Sequence, residues 1–175
     1  ANACVVFEYG LRGPCYALSG ACATGGINLA QGYEKIMHSK ADAMLVGSTS
    51  ALIVPELYAD YSARGSPMTP RNEPMRPFDK NRSGFILGEG AAVLVLEDEE
   101  KALRRGAHIY AIIDGYGEAT DVSTHFADVT VQGYLDSLNA ALSGVKSFVE
   151  HGLLYPDKIY FSAHGTATRK NDEVE

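Results

Sequence analysis

No apolar run in this sequence is long enough to span a bilayer, and its first residues do not combine basic side chains with a short apolar core as a secretory signal does. A soluble chain is expected, with no membrane partner. Cysteine is scarce. Cys4, Cys15 and Cys22 are the three, and none stands in a CxxC or other paired spacing. That speaks against a disulfide framework and against a thiolate metal site, and it fits a reducing compartment. Positive charge is also in short supply: 15 Lys and Arg stand against 22 Asp and Glu, a net charge of −7. Such a chain lacks the basic stripe that contact with nucleic-acid phosphates demands, so no nucleic-acid partner is expected. The rest is ordinary for a globular protein, with 46% apolar and 21% charged residues over 175 positions, enough for one sizeable core.

What is there is organised around Ser19-Gly20-Ala21-Cys22-Ala23-Thr24-Gly25-Gly26. The stretch sets a cysteine between a short apolar strand, Cys15 to Leu18, and a helical pattern running from Ala23 to His38. A thiol at that turn faces unpaired backbone N–H groups and the positive end of a helix dipole, both of which favour the thiolate. The small residues around it permit a sharp turn and leave space for an acyl group to reach the sulfur. A buried, inert cysteine is the alternative that this local pattern leaves open.

Ala1 to Tyr9 reads as the end of a helix already under way, and Gly10 to Pro14 as a turn. In the helix after Cys22, Ile27, Ala30, Tyr33 and Met37 recur at helical spacing, while Gly25, Gly26 and Gly32 keep it slim; it is expected to be central and buried. Ala41 to Gly47 reads as a strand and Pro55 to Tyr61 as a short helix. Gly65 to Ser83 is a long loop with four of the seven prolines and the cations Arg71, Arg76, Lys80 and Arg82. Loops of this length usually carry function.

Phe85 to Glu97 holds the run Ala91 to Leu96, expected as a strand covered on both faces. Asp98-Glu99-Glu100 then open a helix that closes at Arg104-Arg105-Gly106, and Ile109 to Asp114 reads as the next strand. From Gln132 a helix is expected with Leu135, Leu138, Leu142, Val145 and Val149 on one face, ending at His151-Gly152. Pro156-Asp157-Lys158 turns into a last strand, Ile159 to Ala163, which ends at His164. That histidine, beside Gly165, could donate a hydrogen bond to a developing enolate. His38, His108, His125 and His151 read as surface or helix-end residues. The final Asn171 to Glu175 reads as a helix just starting with nothing to bury it, so the sequence is expected to be part of a longer chain.

Five stretches, in order, resemble the β-ketoacyl-acyl-carrier-protein synthases, the condensing enzymes of the thiolase superfamily. They are Gly13-Pro14, Ala21-Cys22-Ala23-Thr24-Gly25, Arg76-Pro77-Phe78-Asp79, Gly84 to Ala91 and His164-Gly165-Thr166-Ala167-Thr168. The resemblance is weakest from Thr120 to Leu154. There Thr120-Asp121-Val122-Ser123-Thr124-His125 replaces the family's usual Ser-Asp-Ala-Tyr-His.

The resemblance implies an α/β, thiolase-like layered αβαβα fold, present in part: residues 1–97 as the later part of the N-terminal half and 98–175 as the start of the C-terminal half. It implies a decarboxylating condensation of an acyl thioester with malonyl-acyl carrier protein through acyl-Cys22, with His164 as one of two active-site histidines. It further assigns Thr166 and Thr168 to the phosphopantetheine arm, and Glu175 to an acidic residue supporting the site. The second histidine, an active-site lysine and a glycine-phenylalanine gate fall outside these residues, so the isolated chain is expected to be inactive. No metal or redox cofactor is implied, because the phosphopantetheine arm arrives on the acyl carrier protein. Arg71 and Lys80 are candidates for docking that acidic partner, against the alternative of a solvated loop whose arginines tie it down internally. A homodimer pairing through Cys15 to Leu18 is implied, in the cytoplasm or an organelle interior. A polyketide ketosynthase or another acyltransferase of the superfamily is the neighbouring alternative, and a non-catalytic interaction piece is the alternative of another class.

Overall fold

The computed structural model describes residues 2–122, 129–143, 145 and 159–175. They form two compact units that interleave along the chain, Ala1–Ser50 with Gly90–Ile113, and Ala51–Glu89 with Asp114–Glu175.

In the first unit, helix α1 (Asn2–Tyr9) is followed by a segment without assigned secondary structure, a 3-10 turn (Ala21–Ala23) and helix α2 (Thr24–Met37). Tyr16 ties that segment to both helices. Its carbonyl accepts from Asn2 Nδ2 at 2.8 Å, and Lys35 Nζ lies 5.9 Å from its ring centroid. Strands β1 (Ala43–Ala51) and β2 (Glu89–Glu97) pair in a two-stranded sheet. Helix α2 reaches this sheet at Gly32, where an added Cβ would stand 2.4 Å from Val46 Cγ2 and 3.1 Å from Leu96 Cδ1. Only glycine permits so close an approach, which is why the helix accepts its cost in helix propensity. Ala30 and Val46 are buried in this contact region, and Asn28 Nδ2 donates to Gly47 O at 3.0 Å.

Helix α4 (Glu99–Arg104) begins as its charges dictate; the helix before it in the chain, α3 (Pro55–Ala63), belongs to the second unit. Asp98 Oδ1 accepts the Lys101 N–H at 3.1 Å as N-cap, and Gly106, with φ +70°, follows the last turn. Two exposed ion pairs flank it, Lys101 with Asp42 and Arg105 with Glu97, the second a fork with Nε–Oε1 at 3.1 Å and Nη2–Oε2 at 2.7 Å.

In the second unit, α3 (Pro55–Ala63) starts on its proline. The Gly65 to Ser83 loop is closed at its base by a parallel bridge between Met68 and Phe85, and Tyr61 meets Phe85 edge to face at 5.6 Å. Helix α5 (Val131–Leu142) is capped by Thr130 Oγ1, which accepts from Gly133 N at 3.2 Å. Asp121 fixes that cap, accepting Thr130 N and Thr130 Oγ1, each at 2.6 Å. Helix α6 (Arg169–Val174) is capped by Thr168.

Several expectations need correction. Cys15 to Leu18, Ile109 to Asp114 and Ile159 to Ala163 form no strands, so of the strand, helix and strand read from Phe85 to Asp114 only β2 and α4 form. Apolar and aromatic residues favour a pleated surface, but a strand exists only through a hydrogen-bonded neighbour, and no such neighbour occurs among the described residues. Likewise β2 is not covered on both faces, since Val93 and Val95 on one side and Leu94 on the other are all exposed. Helix α2 is half-buried rather than central, with Ala30 and Gly32 buried and Met37 exposed. Conversely α6, expected to lack cover, buries Asn171 and Asp172. Val149, the His151-Gly152 helix end, the Pro156 to Lys158 turn and His125 lie outside the described residues.

Candidate active site

The proposed nucleophile stands on a strained corner. Ala21 takes φ +49°, the left-handed region that a Cβ disfavours, and Cys22 follows it in the turn that leads into α2. Thr24 closes this corner: its Oγ1 donates to Ala21 O at 2.7 Å and accepts from Gly20 N at 2.9 Å. A further backbone bond, Ala23 N to Gly20 O at 3.0 Å, tightens it. Cys22 is exposed, as are Cys4 and Cys15, so the buried-cysteine alternative does not hold for it.

The second unit places the backbone of His164 and Gly165 on the Glu175 carboxylate, with Thr166 and Thr168 following in the chain. Glu175 Oε1 accepts His164 N at 2.7 Å and Oε2 accepts Gly165 N at 2.8 Å, so two successive peptide groups point at one side chain. Gly165 has φ +55°, which lets the chain curl its N–H groups to the same side. Asn171 Nδ2 donates to Oε2 at 2.9 Å, and Tyr134 OH donates to Oε1. Burial pushes the Glu175 carboxyl up, but the bonds from Tyr134, Gly165, His164 and Asn171 outweigh it and hold the group below its ordinary value. Tyr134 is driven well above the usual phenol range, first by burial and then by donating to this anion.

Thr166 and Thr168 share a hydroxyl contact at 3.0 Å, while Thr168 Oγ1 also takes the Asn171 N–H at 3.4 Å. The hydroxyl of Thr168 is therefore partly committed to capping α6. His164 itself is exposed, and its neighbours Gly165 and Ala167 are buried.

A third group joins the Arg76-Pro77-Phe78-Asp79 stretch to α6. Asp172, whose side chain is fully buried, accepts Phe78 N at 2.7 Å and lies 3.6 Å from Arg82 Nε. Arg82 also donates to Thr168 O at 3.2 Å and Arg169 O at 2.8 Å. Phe78 has φ +64°, and a Cβ placed on Gly165 would be 3.5 Å from its ring. The basic loop thus divides. Arg82 is an internal tie and Arg76 lies 3.7 Å from Glu73, whereas Arg71 and Lys80 are exposed and form no ion pair among the described residues.

Sequence reasoning missed Tyr134, Asn171, Asp172 and the internal role of Phe78, whereas Arg82 follows the alternative of a loop whose arginines tie it down internally. A signal existed for two of them: Thr168 three residues before Asn171, with Asp172 in the same first turn, has the pattern of a capped helix start. Cys22 belongs to the first unit, and the Glu175 cluster, Arg71 and Lys80 belong to the second. Among the described residues no three His, Cys, Asp or Glu side chains gather as a metal site, and no helix is long and apolar enough to cross a membrane.

The class of protein that this fold defines is a thiolase-like ketosynthase, carried in part. The chain matches a β-ketoacyl synthase crystallised from Burkholderia phymatum with TM-score 0.82 at 33% identity, over 98% of this chain and 41% of that one. It also matches a type II polyketide ketosynthase solved in complex with its acyl-carrier protein, with TM-score 0.80 at 31% identity over 98% of this chain and 42% of that one. In sequence it is 38% identical to the mitochondrial 3-oxoacyl-[acyl-carrier-protein] synthase of Arabidopsis thaliana, over 98% of this chain and 37% of the relative. The family model of the β-ketoacyl synthase N-terminal domain covers residues 1–102, and the chain belongs to the β-ketoacyl synthase family. It spans about two fifths of the length of these relatives.

Proposed function

We propose that this chain supplies the nucleophile and one histidine of an acyl-carrier-protein-dependent condensing enzyme, an acyltransferase of fatty-acid or related biosynthesis. The observation that carries this reading is the exposed Cys22 on the Thr24-closed corner at the head of α2. The Cys22 thiolate attacks the carbonyl of an acyl thioester; the tetrahedral intermediate, with the Cys22 backbone N–H as candidate oxyanion donor, collapses and expels the carrier thiol. A malonyl thioester then loses carbon dioxide, and the electrons of the broken C–C bond become an enolate. His164 donates a hydrogen bond to the enolate oxygen, while Glu175 holds the His164 backbone. Attack of the enolate carbon on acyl-Cys22 forms the new C–C bond and releases the thiolate.

In this reading Thr166 and Thr168 bind the phosphopantetheine arm, and Arg71 and Lys80 meet the acidic carrier protein. No further cofactor is required. Residues 1–97 and 98–175 correspond to the later part of the N-terminal half and the start of the C-terminal half, in a homodimer paired near Cys15 to Leu18, working in the cytoplasm or an organelle interior. The rest of the catalytic set lies outside these residues, so the 175-residue chain acylates but does not turn over. Two relatives support a polyketide and a fatty-acid variant respectively, and the thioesters that acylate Cys22 separate them.

The test is intact-mass labelling with acyl-thioester substrates. One acyl group per chain is expected, retained in a Cys4→Ala/Cys15→Ala variant and lost in Cys22→Ala. No acylation, or acylation indifferent to Cys22, overturns the reading and favours a non-catalytic interaction piece.

A further inference from the structure

Glu175 stands at the C-terminal end of α6, a helix of six residues, on a side chain with three rotatable bonds. Left to itself it would sample several rotamers, and the two N–H groups at His164 and Gly165 would follow it only part of the time. It is instead held at both oxygens, by Asn171 Nδ2 at 2.9 Å on Oε2 and by the Tyr134 phenol on Oε1, the oxygen that also accepts His164 N. Asn171 belongs to α6 itself, so Tyr134 on α5 is the one side chain of another element, among the described residues, that donates to this carboxylate. Tyr134 is fixed in turn. It lies one turn into α5, whose first turn is pinned by Thr130 and Thr130 by Asp121.

We propose that Tyr134 is a positioning residue, whose phenol orients Glu175 and through it the backbone that carries His164. The proposal rests on the reading of His164 as an active-site donor. It gives a role to the part of the chain, Thr120 to Leu154, where the family resemblance is weakest: Asp121 and Thr130 set the helix, and the helix aims a hydroxyl. The other carboxylate in the cluster, Asp172, accepts from Phe78 N and from Asn171 Nδ2 and lies 3.6 Å from Arg82 Nε, and the titratable residues that meet Glu175 are Tyr134, through its phenol, and His164, through its backbone.

The test follows the His164 and Gly165 amide resonances of the 175-residue chain by NMR from pH 3 to 7, where both report protonation of Glu175. Tyr134→Phe keeps the ring and removes the hydroxyl. Losing one hydrogen bond to a charged acceptor is expected to raise the titration midpoint by about one pH unit and to speed amide exchange at His164 and Gly165 about tenfold. Amides in the middle of α5 should exchange as before, which a general loosening of the helix would not allow. Should Tyr134→Phe fail to fold, 3-fluorotyrosine at position 134, a stronger donor, is expected to lower the midpoint. An unchanged midpoint with unchanged exchange overturns the proposal. Acylation of Cys22, measured on the same samples, tests the nucleophile's part of the proposed function separately, because it does not depend on where Glu175 points.

Discussion

The backbone N–H of Phe78 donates to Asp172 Oδ2 at 2.7 Å, joining residues 94 positions apart. The bond holds Phe78 at φ +64° and sets the basic loop against the turn that presents His164. Asp172→Ala leaves Arg82 beside an empty, buried acceptor site, and breaking such a pair from one side costs about 3 kcal/mol. The urea midpoint should fall accordingly, with Asp172→Asn, which keeps one acceptor oxygen, falling less.

Thr24→Val is nearly isosteric but removes both hydrogen bonds that close the Cys22 corner. A stability loss of about 1–2 kcal/mol is expected, together with slower acylation of Cys22. Denaturation and intact-mass labelling of the variant check the two effects separately, with Cys4 and Cys15 alkylation as the internal standard.

Gly32→Ala puts a methyl group 2.4 Å from Val46 Cγ2, and a β-branched neighbour cannot rotate out of the way easily. Overpacking of about 1–3 kcal/mol is expected in place of the gain in helix propensity that Gly→Ala brings at an open helical site. Thermal unfolding of Gly32→Ala beside Gly26→Ala, where a Cβ meets nothing within 4 Å, decides it.

Stability should depend on acid through Glu175. Its folded-state value lies below the ordinary 4.5, so its contribution is present above about pH 4.5 and is lost as pH falls through the lower folded value. Tyr134 has the opposite sign: its raised value makes its contribution complete below pH 10.0 and lost only above that. Thermal midpoints from pH 3 to 7 should slope down toward acid, and Glu175→Gln should flatten that slope.

On the proposed function, Arg71→Glu and Lys80→Glu together should weaken acyl-carrier-protein binding and reduce its salt dependence, with no loss of thermal stability, since both side chains are exposed and form no ion pair among the described residues. Arg82→Glu should unfold the loop instead. Titration of carrier protein at two ionic strengths distinguishes them.

Much of this was legible in the sequence because it rests on local physics. The helix opening at Asp98, the proline opening of α3 and the glycine after α4 are contacts within a few residues of each other, and residue type alone selects them. The Cys22 corner is of the same kind, closed by Thr24 two residues on. The apolar segments Ile109 to Asp114 and Ile159 to Ala163 were misread because apolar composition records a tendency to be covered, and pairing needs a second segment that composition does not identify.

By itself, then, the sequence pointed to the residues proposed for chemistry, to the starts of α3 and α4, and to the family to which the chain belongs. Only the tertiary structure decided that Glu175 grips the His164 backbone, that Tyr134 grips Glu175, and that of four loop cations Arg82 turns inward. The reason is separation along the chain. These bonds join residues 11, 41 and 90 positions apart, in that order, and what brings such partners together is the packing of whole elements, which no spacing in the sequence records.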